Sequence, residues 1–381
     1  MVALTGGTST NMSLLGKLKQ IRWGMVAVLV SIVAIGITTL YSAGNGSFDP
    51  WASRQLVRFA GGLVLMIAVA CIDPRVWLRY AYVIYGVSLV LLVWVDLNGI
   101  TGMGAQRWVA VGPVSLQPSE VMKVAIILVL ARYFHSLSVE DSGRLVPLIW
   151  PILLVIVPVL LVLKQPDLGT AVMLLLASAA VFFLSGVRVW LFAAAIAGGG
   201  ALLPLAWGHL KEYQRNRILT FINPENDPLG AGYHILQSKI ALGSGGVFGR
   251  GFLEGTQSHL NFLPEKQTDF IFTMLAEEWG LVGGVVLLTL YLALVAYGYA
   301  IGIRARSQFT RILALGLTTM FFLYIFINVA MVMGLVPVVG VPLPLISYGG
   351  TAMLSLLIAF GIVLGCYVHR DVIIGRRGGL D

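Results

Sequence analysis

Long apolar runs separated by short polar connections restrict the fold of this chain more than any other feature. An α-helix needs about 20 apolar residues to cross the roughly 30 Å hydrocarbon core of a membrane. Several runs approach or exceed that length in a chain of 381 residues that is 58% hydrophobic and only 11% charged. Membrane β-strands would be segments of about ten residues with alternating polarity. We therefore predict an all-α integral membrane protein, with residues 1–381 forming a single polytopic membrane domain.

Ten membrane spans are predicted from these runs. They cover approximately residues 23–41, 57–72, 76–95, 119–134, 145–163, 169–184, 190–207, 270–303, 312–336 and 346–368. Alternate connections are rich in Lys and Arg, which favours a cytoplasmic location for those connections. Both termini are then cytoplasmic, and the longest connection, at about 208–269 between helices seven and eight, lies outside the cell.

The formal net charge of +8 does not indicate a nucleic-acid-binding protein, because the basic residues are scattered between apolar runs. Membrane topology explains their distribution better. Cys71 and Cys366 lie near the ends of spans on the predicted cytoplasmic side, so we expect reduced thiols and no disulfide. The histidines show no metal-ligand spacing.

The predicted outer loop contains three recognisable segments. "HLKEYQRNRILTFINP" and "GYHILQSKIALG" have apolar residues at helical spacing, which predicts two short helices on the outer surface. "GSGGVFGRG" has many glycines, but no strand precedes them and their spacing differs from that of a phosphate-binding loop. Flexible backbone is the favoured interpretation there.

"FLPEKQTDFIF" places charged side chains directly before a long apolar run. If this segment is helical, steps of four put Glu265, Asp269, Thr273 and Glu277 on one acidic face. A continuous helix over 270–303 would be about 50 Å long, far more than the hydrocarbon core requires. These carboxylates can therefore lie at or above the outer interface. Helix capping with Lys266 as a partner and a role in chemistry both remain open.

Further ionisable residues are candidates for binding an anionic substrate. Glu120 and Lys123 stand three residues apart in "SLQPSEVMKVAI", where they form either an internal salt bridge or a site for an anion. The predicted outer face also carries cations that could meet phosphate or simply reach the interface, and these include Arg107, Arg215, Arg217 and Lys239. "VPLPLISYGGT", which contains Ser347, breaks helix regularity at an outer mouth, and such backbone requires a cover of protein or water.

Several motifs of this chain resemble, in order and spacing, those of the SEDS (shape, elongation, division and sporulation) family of membrane proteins. They are "AQRWVAVGPVSLQPSE", "KQPDLGT", "GYHILQSKIALGSGG", "NFLPEKQTDFIFTMLAEEWG" and "PLPLISYGGT". The resemblance covers nearly the whole chain. Residues 261–278 and "GAQRW" are more similar to the RodA branch, which acts in rod-shape elongation, than to the FtsW branch of cell division.

This resemblance implies a ten-helix peptidoglycan glycosyltransferase in the bacterial cytoplasmic (inner) membrane. Such an enzyme polymerises lipid II and undecaprenyl-diphosphate-linked glycan at the outer face and works with a class B penicillin-binding protein. The family's essential carboxylate corresponds to Asp269, and the charged pair of its "PSE" helix corresponds to Glu120 and Lys123. Gln267 stands where relatives typically have His, which puts in doubt any role of an imidazole at that position.

Transfer from a lipid diphosphate requires a base for the acceptor hydroxyl and positive charge for the leaving diphosphate. Our hypothesis is an inverting transfer that forms β-1,4 links, with Asp269 activating the acceptor's 4-hydroxyl. Candidate substrate-binding residues are Lys123, Glu120, Arg107, Arg215, Arg217, Lys239, Glu265 and Ser347. A divalent cation, Mg²⁺ or Mn²⁺, is a possible cofactor, and Asp269 is its possible ligand.

Two other classes of function stay open from the sequence. A flippase for lipid-linked precursors would need access to the inner leaflet, whereas the charges here cluster at the predicted outer mouth. The sequence also has no convincing inverted repeat of the kind common in transporters. A non-catalytic scaffold for a penicillin-binding protein would use Asp269 only as a helix cap.

Overall fold

The computed structural model describes residues 13–102, 105–111, 114–138, 141–209, 212–224, 230–260, 262 and 265–375. Most of this part of the chain is helical. The helices are, in chain order, α1 (Leu14–Gln20), α2 (Trp23–Ala43), α3 (Trp51–Ala70), α4 (Pro74–Asn98), α5 (Pro118–Ser136), α6 (Leu145–Lys164), α7 (Leu168–Leu184), α8 (Val189–His209), α9 (Glu212–Ile222), α10 (Ala231–Ser244), α11 (Thr256–His259), α12 (Ile271–Arg304), α13 (Gln308–Val332) and α14 (Gly350–Val368).

Seven of these helices are long and apolar enough to cross a membrane, namely α2, α3, α4, α6, α12, α13 and α14. Three further helices coincide with the other predicted spans. Of these, α7 and the 189–202 part of α8 are apolar but shorter, and α5 carries Glu120, Lys123 and Arg132 within its length. The prediction of an all-α membrane protein is confirmed, while the number of ten crossings stays a prediction.

The centre of the bundle is formed by α5, α13 and α14, which bury most of their residues. α13 packs against α5, α7, α12 and α14, and α14 also packs along α3. Peripheral helices such as α4 and α6 keep large apolar side chains exposed, including Val90 and Trp150. This distribution suits a bundle whose outer surface faces lipid, because lipid tails accept apolar side chains without cost.

A small antiparallel sheet, which we did not predict, lies between α4 and α5. Its strands are β1 (Ile100–Gly102), β2 (Ala105–Val111) and β3 (Val114–Leu116), in the order β1-β2-β3. β2 pairs with both neighbours, with Val109 opposite Leu116 on one side and Trp108 opposite Ile100 on the other. The alternating residues and the glycines of "ITGMGAQRWVAVGPVSL" are a hairpin signal that could have revealed it.

Both helices predicted in the long connection are present, as α9 and α10. α10 does not simply lie on the surface, because it packs against α12 and its Ser238 is fully buried. The Ser238 hydroxyl donates to the Val332 carbonyl oxygen at 2.8 Å. Parts of this connection, namely 210–211, 225–229, 261 and 263–264, lie outside the described residues.

The glycine-rich segment 245–251 is neither a phosphate-binding loop nor plain flexible backbone. It pairs with α12 where that helix breaks at Gly280, whose φ of 66° is left-handed. The amides of Arg250 and Gly251 donate to the carbonyls of Glu277 and Glu278, and the amides after the break donate back to the segment. The backbone groups that the break would leave unpaired are thereby satisfied.

Candidate active site

The acidic helical face predicted around Asp269 does not exist. Residues 265–270 form turns, and α12 begins only at Ile271. Glu265 has a φ of 56°, which lies in the left-handed region and cannot continue a right-handed helix. Glu277 is fully buried and accepts a hydrogen bond from the Gln257 amide at 2.9 Å, so it caps α11. Asp269 therefore stands at the end of a turn.

The turn that carries Asp269 is held through three consecutive carbonyl groups. The Tyr348 amide donates to the Gln267 oxygen at 2.8 Å, and the Ser347 hydroxyl donates to the Thr268 oxygen at 2.6 Å. The Asn328 side-chain amide donates to the Asp269 oxygen at 2.9 Å. Each bond comes from α13 or the segment after it, so the backbone beneath the carboxylate is fixed from outside its own segment.

The irregular segment 333–349, between α13 and α14, passes directly against Asp269. Gly340 has a φ of 70°, and a Cβ atom there would stand 3.4 Å from Asp269 Oδ2. Gln55 on α3 is fully buried and donates to the Ser347 carbonyl oxygen at 2.9 Å. Protein covers the distal part of this segment, where residues 343–347 are buried, whereas Met333, Leu335 and Gly340 are exposed.

Burial is the main reason why the pKa of Asp269 rises from 3.8 to about 6. The negative charges of Glu265 and Asp167 raise this pKa further, whereas the positive charges of Arg217 and Arg107 lower it. Lys266, the partner considered from the sequence, is buried, and burial lowers the pKa of its ammonium group. Asp269 is thus a carboxylate among charges of both signs, with a pKa close to neutral pH.

Arg107 on β2 reaches across to the turn between α6 and α7. Its Nε donates to the Gln165 carbonyl oxygen at 3.2 Å, and its Nη2 donates to the Pro166 carbonyl oxygen. Its Nη1 lies 3.8 Å from Asp167 Oδ2. Asp167 also caps α7 by accepting from the Thr170 amide at 3.1 Å. The small sheet thus holds a cation beside the Asp269 turn, which an unstructured loop could not do.

Glu120 and Lys123 form a buried ion pair, with Lys123 Nζ 2.7 Å from Glu120 Oε1. The second Glu120 oxygen accepts from the Tyr324 hydroxyl at 3.2 Å and from Ser355 at 3.3 Å. Lys123 Nζ also lies 4.5 Å from the centre of the Tyr324 ring. This arrangement agrees with the internal salt bridge that the sequence left open. Since Tyr324 precedes Asn328 by four residues on α13, the pair lies about 6 Å along that helix from the Asp269 anchor.

The remaining candidates take different positions. Glu265 accepts from the Thr268 hydroxyl at 3.0 Å within the turn. Ser347 donates to the Thr268 carbonyl oxygen and accepts from the Leu343 amide at 2.7 Å.

Two further candidates lie on α9 and α10. Arg215 donates to the Gly208 carbonyl oxygen at 2.8 Å. Lys239 is exposed and lies over Gly334. The structure therefore brings Arg107, Arg217 and Glu265 to Asp269, with Ser347 in a supporting position.

Asn328 is not among the candidates proposed from the sequence, and Asp167 enters there only as part of the motif "KQPDLGT". The sequence does contain a signal for Asn328. A lone amide inside the apolar run "FFLYIFINVAMVMG" is costly in a membrane unless it forms hydrogen bonds. Its partners could not be found from the sequence, since Asp269 and Val341 are brought to it only by folding.

The described residues contain no group of three or more His, Cys, Asp or Glu side chains that could hold a metal ion. Near Asp269, Glu265 bonds within its turn and Asp167 caps α7. Within the described part of the chain, the side chains alone therefore do not make a complete set of ligands for the divalent cation considered from the sequence.

Comparison with known proteins gives a consistent result over almost the whole chain. The FtsW, RodA and SpoVE family model, described as "Cell cycle protein", matches residues 16–371. The peptidoglycan glycosyltransferase MrdB of Escherichia coli K12 is 44% identical over 92% of this chain and 94% of its own length. The peptidoglycan glycosyltransferase RodA of Treponema pallidum is 32% identical over 89% of this chain and 96% of its own.

Two solved structures have the same fold. One is described as the structural coordination of polymerization and crosslinking by a peptidoglycan synthase complex, and it matches with a TM-score of 0.79 and 33% identity. The match covers 92% of this chain and 98% of that one. The rod shape-determining protein RodA of Thermus thermophilus matches with a TM-score of 0.70 and 30% identity, over 92% and 97% of the two chains.

Proposed function

The chain belongs to the FtsW, RodA and SpoVE family and is a peptidoglycan glycosyltransferase, and from this premise we propose that it polymerises lipid II with Asp269 as its catalytic base. The observation that carries this proposal is the pKa of Asp269, about 6, on a backbone held through three consecutive carbonyls. A general base is most effective when its pKa lies near the working pH and its position is fixed.

In the proposed reaction, Asp269 takes the proton from the 4-hydroxyl of the acceptor sugar. The oxygen then attacks C1 of the donor sugar, and the bond from C1 to the diphosphate breaks with inversion, giving a β-1,4 link. The diphosphate leaves with its electron pair, and Asp269 returns the proton to solvent. Arg107 and Arg217, whose charges act on Asp269, are the cations best placed to stabilise the departing diphosphate.

We assign the other candidates to supporting roles. Glu265 raises the pKa of Asp269 and shapes its turn, and Ser347 holds the Thr268 carbonyl. Glu120 and Lys123 stabilise the packing of α5, α13 and α14 beneath the site. Arg215 and Lys239, on α9 and α10, are the candidates for contacting the diphosphate or glycan farther from Asp269.

A divalent cation remains a proposal that needs ligands from the substrate. Mg²⁺ commonly binds one or two carboxylates together with substrate phosphates. Asp269 could supply one such carboxylate, and the lipid diphosphate would have to supply the others. The reaction above is therefore written through the side chains of the chain itself.

We further propose a class B penicillin-binding protein as partner and the bacterial inner membrane as location, with both termini cytoplasmic. Support for the partner comes from the related chain whose structure belongs to a peptidoglycan synthase complex. The MrdB relative and the set of apolar helices support the location of this multi-pass membrane protein.

The test is polymerisation of purified lipid II by the detergent-purified protein, alone and with its penicillin-binding partner. We expect glycan from the wild type and a loss of at least about 100-fold for Asp269→Asn, since general-base catalysis contributes about 10²- to 10⁴-fold. The matched control is Glu254→Gln, which neutralises an exposed carboxylate in the same connection and should keep the full rate.

Three outcomes would change the proposal. Full activity of a folded Asp269→Asn variant would remove Asp269 as the base, and loss of activity with a chelator would favour a metal-assisted reaction. Absence of glycan from a folded wild-type complex would favour a flippase or a scaffold.

The internal ion pair is tested in the same assay. The double variant Glu120→Gln with Lys123→Met should fold and retain activity. If this variant folds but is inactive, contact of Lys123 with substrate would be favoured instead.

A further inference from the structure

Asn328 is a fully buried amide four residues before the end of the spanning helix α13. A polar group at this depth is costly unless its hydrogen-bonding capacity is used. The surrounding run of α13 is apolar, so packing alone would favour an apolar residue here. The hydrogen bonds that this amide makes therefore indicate why an asparagine is present here.

Both hydrogens of the Asn328 amide are donated to backbone carbonyls from two different segments. One goes to the Asp269 oxygen at 2.9 Å and the other to the Val341 oxygen at 2.7 Å. Val341 follows Gly340, which lies against the Asp269 carboxylate. One side chain thus ties the residue that bears the carboxylate and the segment that covers it to the same point on α13.

The orientation of this amide follows from its surroundings. Rotating it to exchange nitrogen and oxygen would place Oδ1 against two carbonyl oxygens, so only the observed orientation is favourable. Oδ1 is buried and accepts no hydrogen bond from the part of the chain that is described. Asn328 therefore serves here as a double donor, and a carboxylate of the same shape would repel both of its partners.

The other bonds to the turn do not duplicate this one. Tyr348 and Ser347 tie the carbonyls of Gln267 and Thr268 to the distal part of segment 333–349, and Gln55 ties that part to α3. Asn328 bonds the carbonyl of Asp269 itself and connects it to α13. Loss of this bond would leave the turn attached one and two residues before the carboxylate.

We propose that Asn328 is a positioning residue for the transfer reaction, because it fixes the backbone of Asp269 and of Val341 and so sets the position and burial of the Asp269 carboxylate. This inference rests on the proposed role of Asp269 as the base. Asn328 has no contact with the reacting atoms and acts only through Asp269 and its cover.

A positioning role predicts a change in pH dependence that a general loss of stability does not. The charged groups that act on Asp269 are Glu265 from its own turn, Asp167 at the start of α7, Arg217 on α9 and Arg107 on β2. Burial is the largest cause of its raised pKa. A carboxylate released toward water would therefore have a pKa below about 6, and the acid limb of the rate profile would move to lower pH.

The experiment compares Asn328→Leu, which removes both donors, and Asn328→Ser, whose shorter side chain offers a single donor, with the wild type in lipid II polymerisation. We expect kcat to fall by about 10- to 100-fold for Leu and less for Ser, with KM nearly unchanged, since a small misplacement of a catalytic group can cost about 100-fold. The acid limb should move to lower pH in both variants.

The matched control is Thr318→Val on the same helix, which removes a buried hydroxyl that donates to the Ala314 carbonyl oxygen at 2.7 Å. It should change thermal stability without moving the pH profile.

Unchanged kcat in a folded Asn328→Leu or Asn328→Ser variant, or reduced kcat with an unmoved acid limb, would overturn the inference. Should neither variant fold, Asn328 would be a residue of the fold alone. Full activity of Asp269→Asn would instead overturn the proposed base, so the two failures are distinguishable.

Discussion

At the scale of single residues, the site depends on opposing charges around one carboxylate. Glu265 and Asp167 raise the pKa of Asp269, while Arg217 and Arg107 lower it. Burial remains the largest cause of the raised pKa. A base must be ionised to accept a proton. Activity should therefore rise with pH through about 6 and level off above it.

Neighbouring charges should move this acid limb in opposite directions. Glu265→Gln removes a negative charge, which lowers the pKa of Asp269 and moves the limb to lower pH. Arg217→Gln removes a positive charge, which raises that pKa and moves the limb to higher pH. The measurement is the rate of lipid II polymerisation from about pH 5 to 9. A shift of both variants in the same direction would contradict the assignment of the limb to Asp269.

At the scale of elements, the break in α12 separates the buried part before Gly280 from the apolar span after it. The glycine-rich segment 245–251 fits so closely against this break that a Cβ atom at Gly245 or Gly249 would meet backbone atoms of α12. A Cβ atom on Gly280 would lie 2.6 Å from the Val247 carbonyl oxygen, and its φ of 66° is unfavourable for other residues. The long helix predicted from the sequence is therefore two helices joined by a glycine.

Gly280→Ala should destabilise the protein by at least about 2 kcal/mol, since the left-handed conformation alone costs roughly 1–2 kcal/mol and the new methyl group meets backbone atoms. Gly61→Ala is the matched control, because Gly61 lies within α3 and has open space around its Cα. Thermal unfolding in detergent compares the two. Equal melting temperatures for both variants would show that the break tolerates a side chain.

At the scale of the whole molecule, alternate connections meet around Asp269. Arg107 comes from the connection between α4 and α5, Asp167 from the turn between α6 and α7, and Arg217 from that between α8 and α12. Segment 333–349 joins α13 and α14. If every predicted span crosses the membrane, every second connection lies on the same side. The connections that meet around Asp269 follow this pattern. This arrangement supports alternating crossings, and the outer location of the site stays a prediction.

Cysteine labelling tests this topology in a variant whose two native cysteines are replaced by alanine. A cysteine introduced as Glu254→Cys should react with a membrane-impermeant maleimide in intact cells. A cysteine introduced as Lys19→Cys on α1 should react only after lysis, although its side chain is also exposed. The reverse pattern would invert the orientation, and reaction of both in intact cells would contradict the seven predicted crossings between Lys19 and Glu254.

The sequence by itself determined the class of the molecule and the positions of its apolar helices, and its motifs pointed to Asp269 as the candidate base. These properties are local, since the length of an apolar run and the spacing within a motif need no knowledge of distant residues. Only the tertiary structure decided that residues 265–270 are turns, that Glu120 and Lys123 pair internally, and that a sheet holds Arg107 near Asp269. The hydrogen bonds that fix the Asp269 turn show why tertiary structure was needed. Their donors, Asn328 and Ser347, stand 59 and 79 residues away along the chain from the carbonyls that accept them. Hydrogen bonds between such distant residues depend on the packing of α13 and its following segment, which no local pattern encodes.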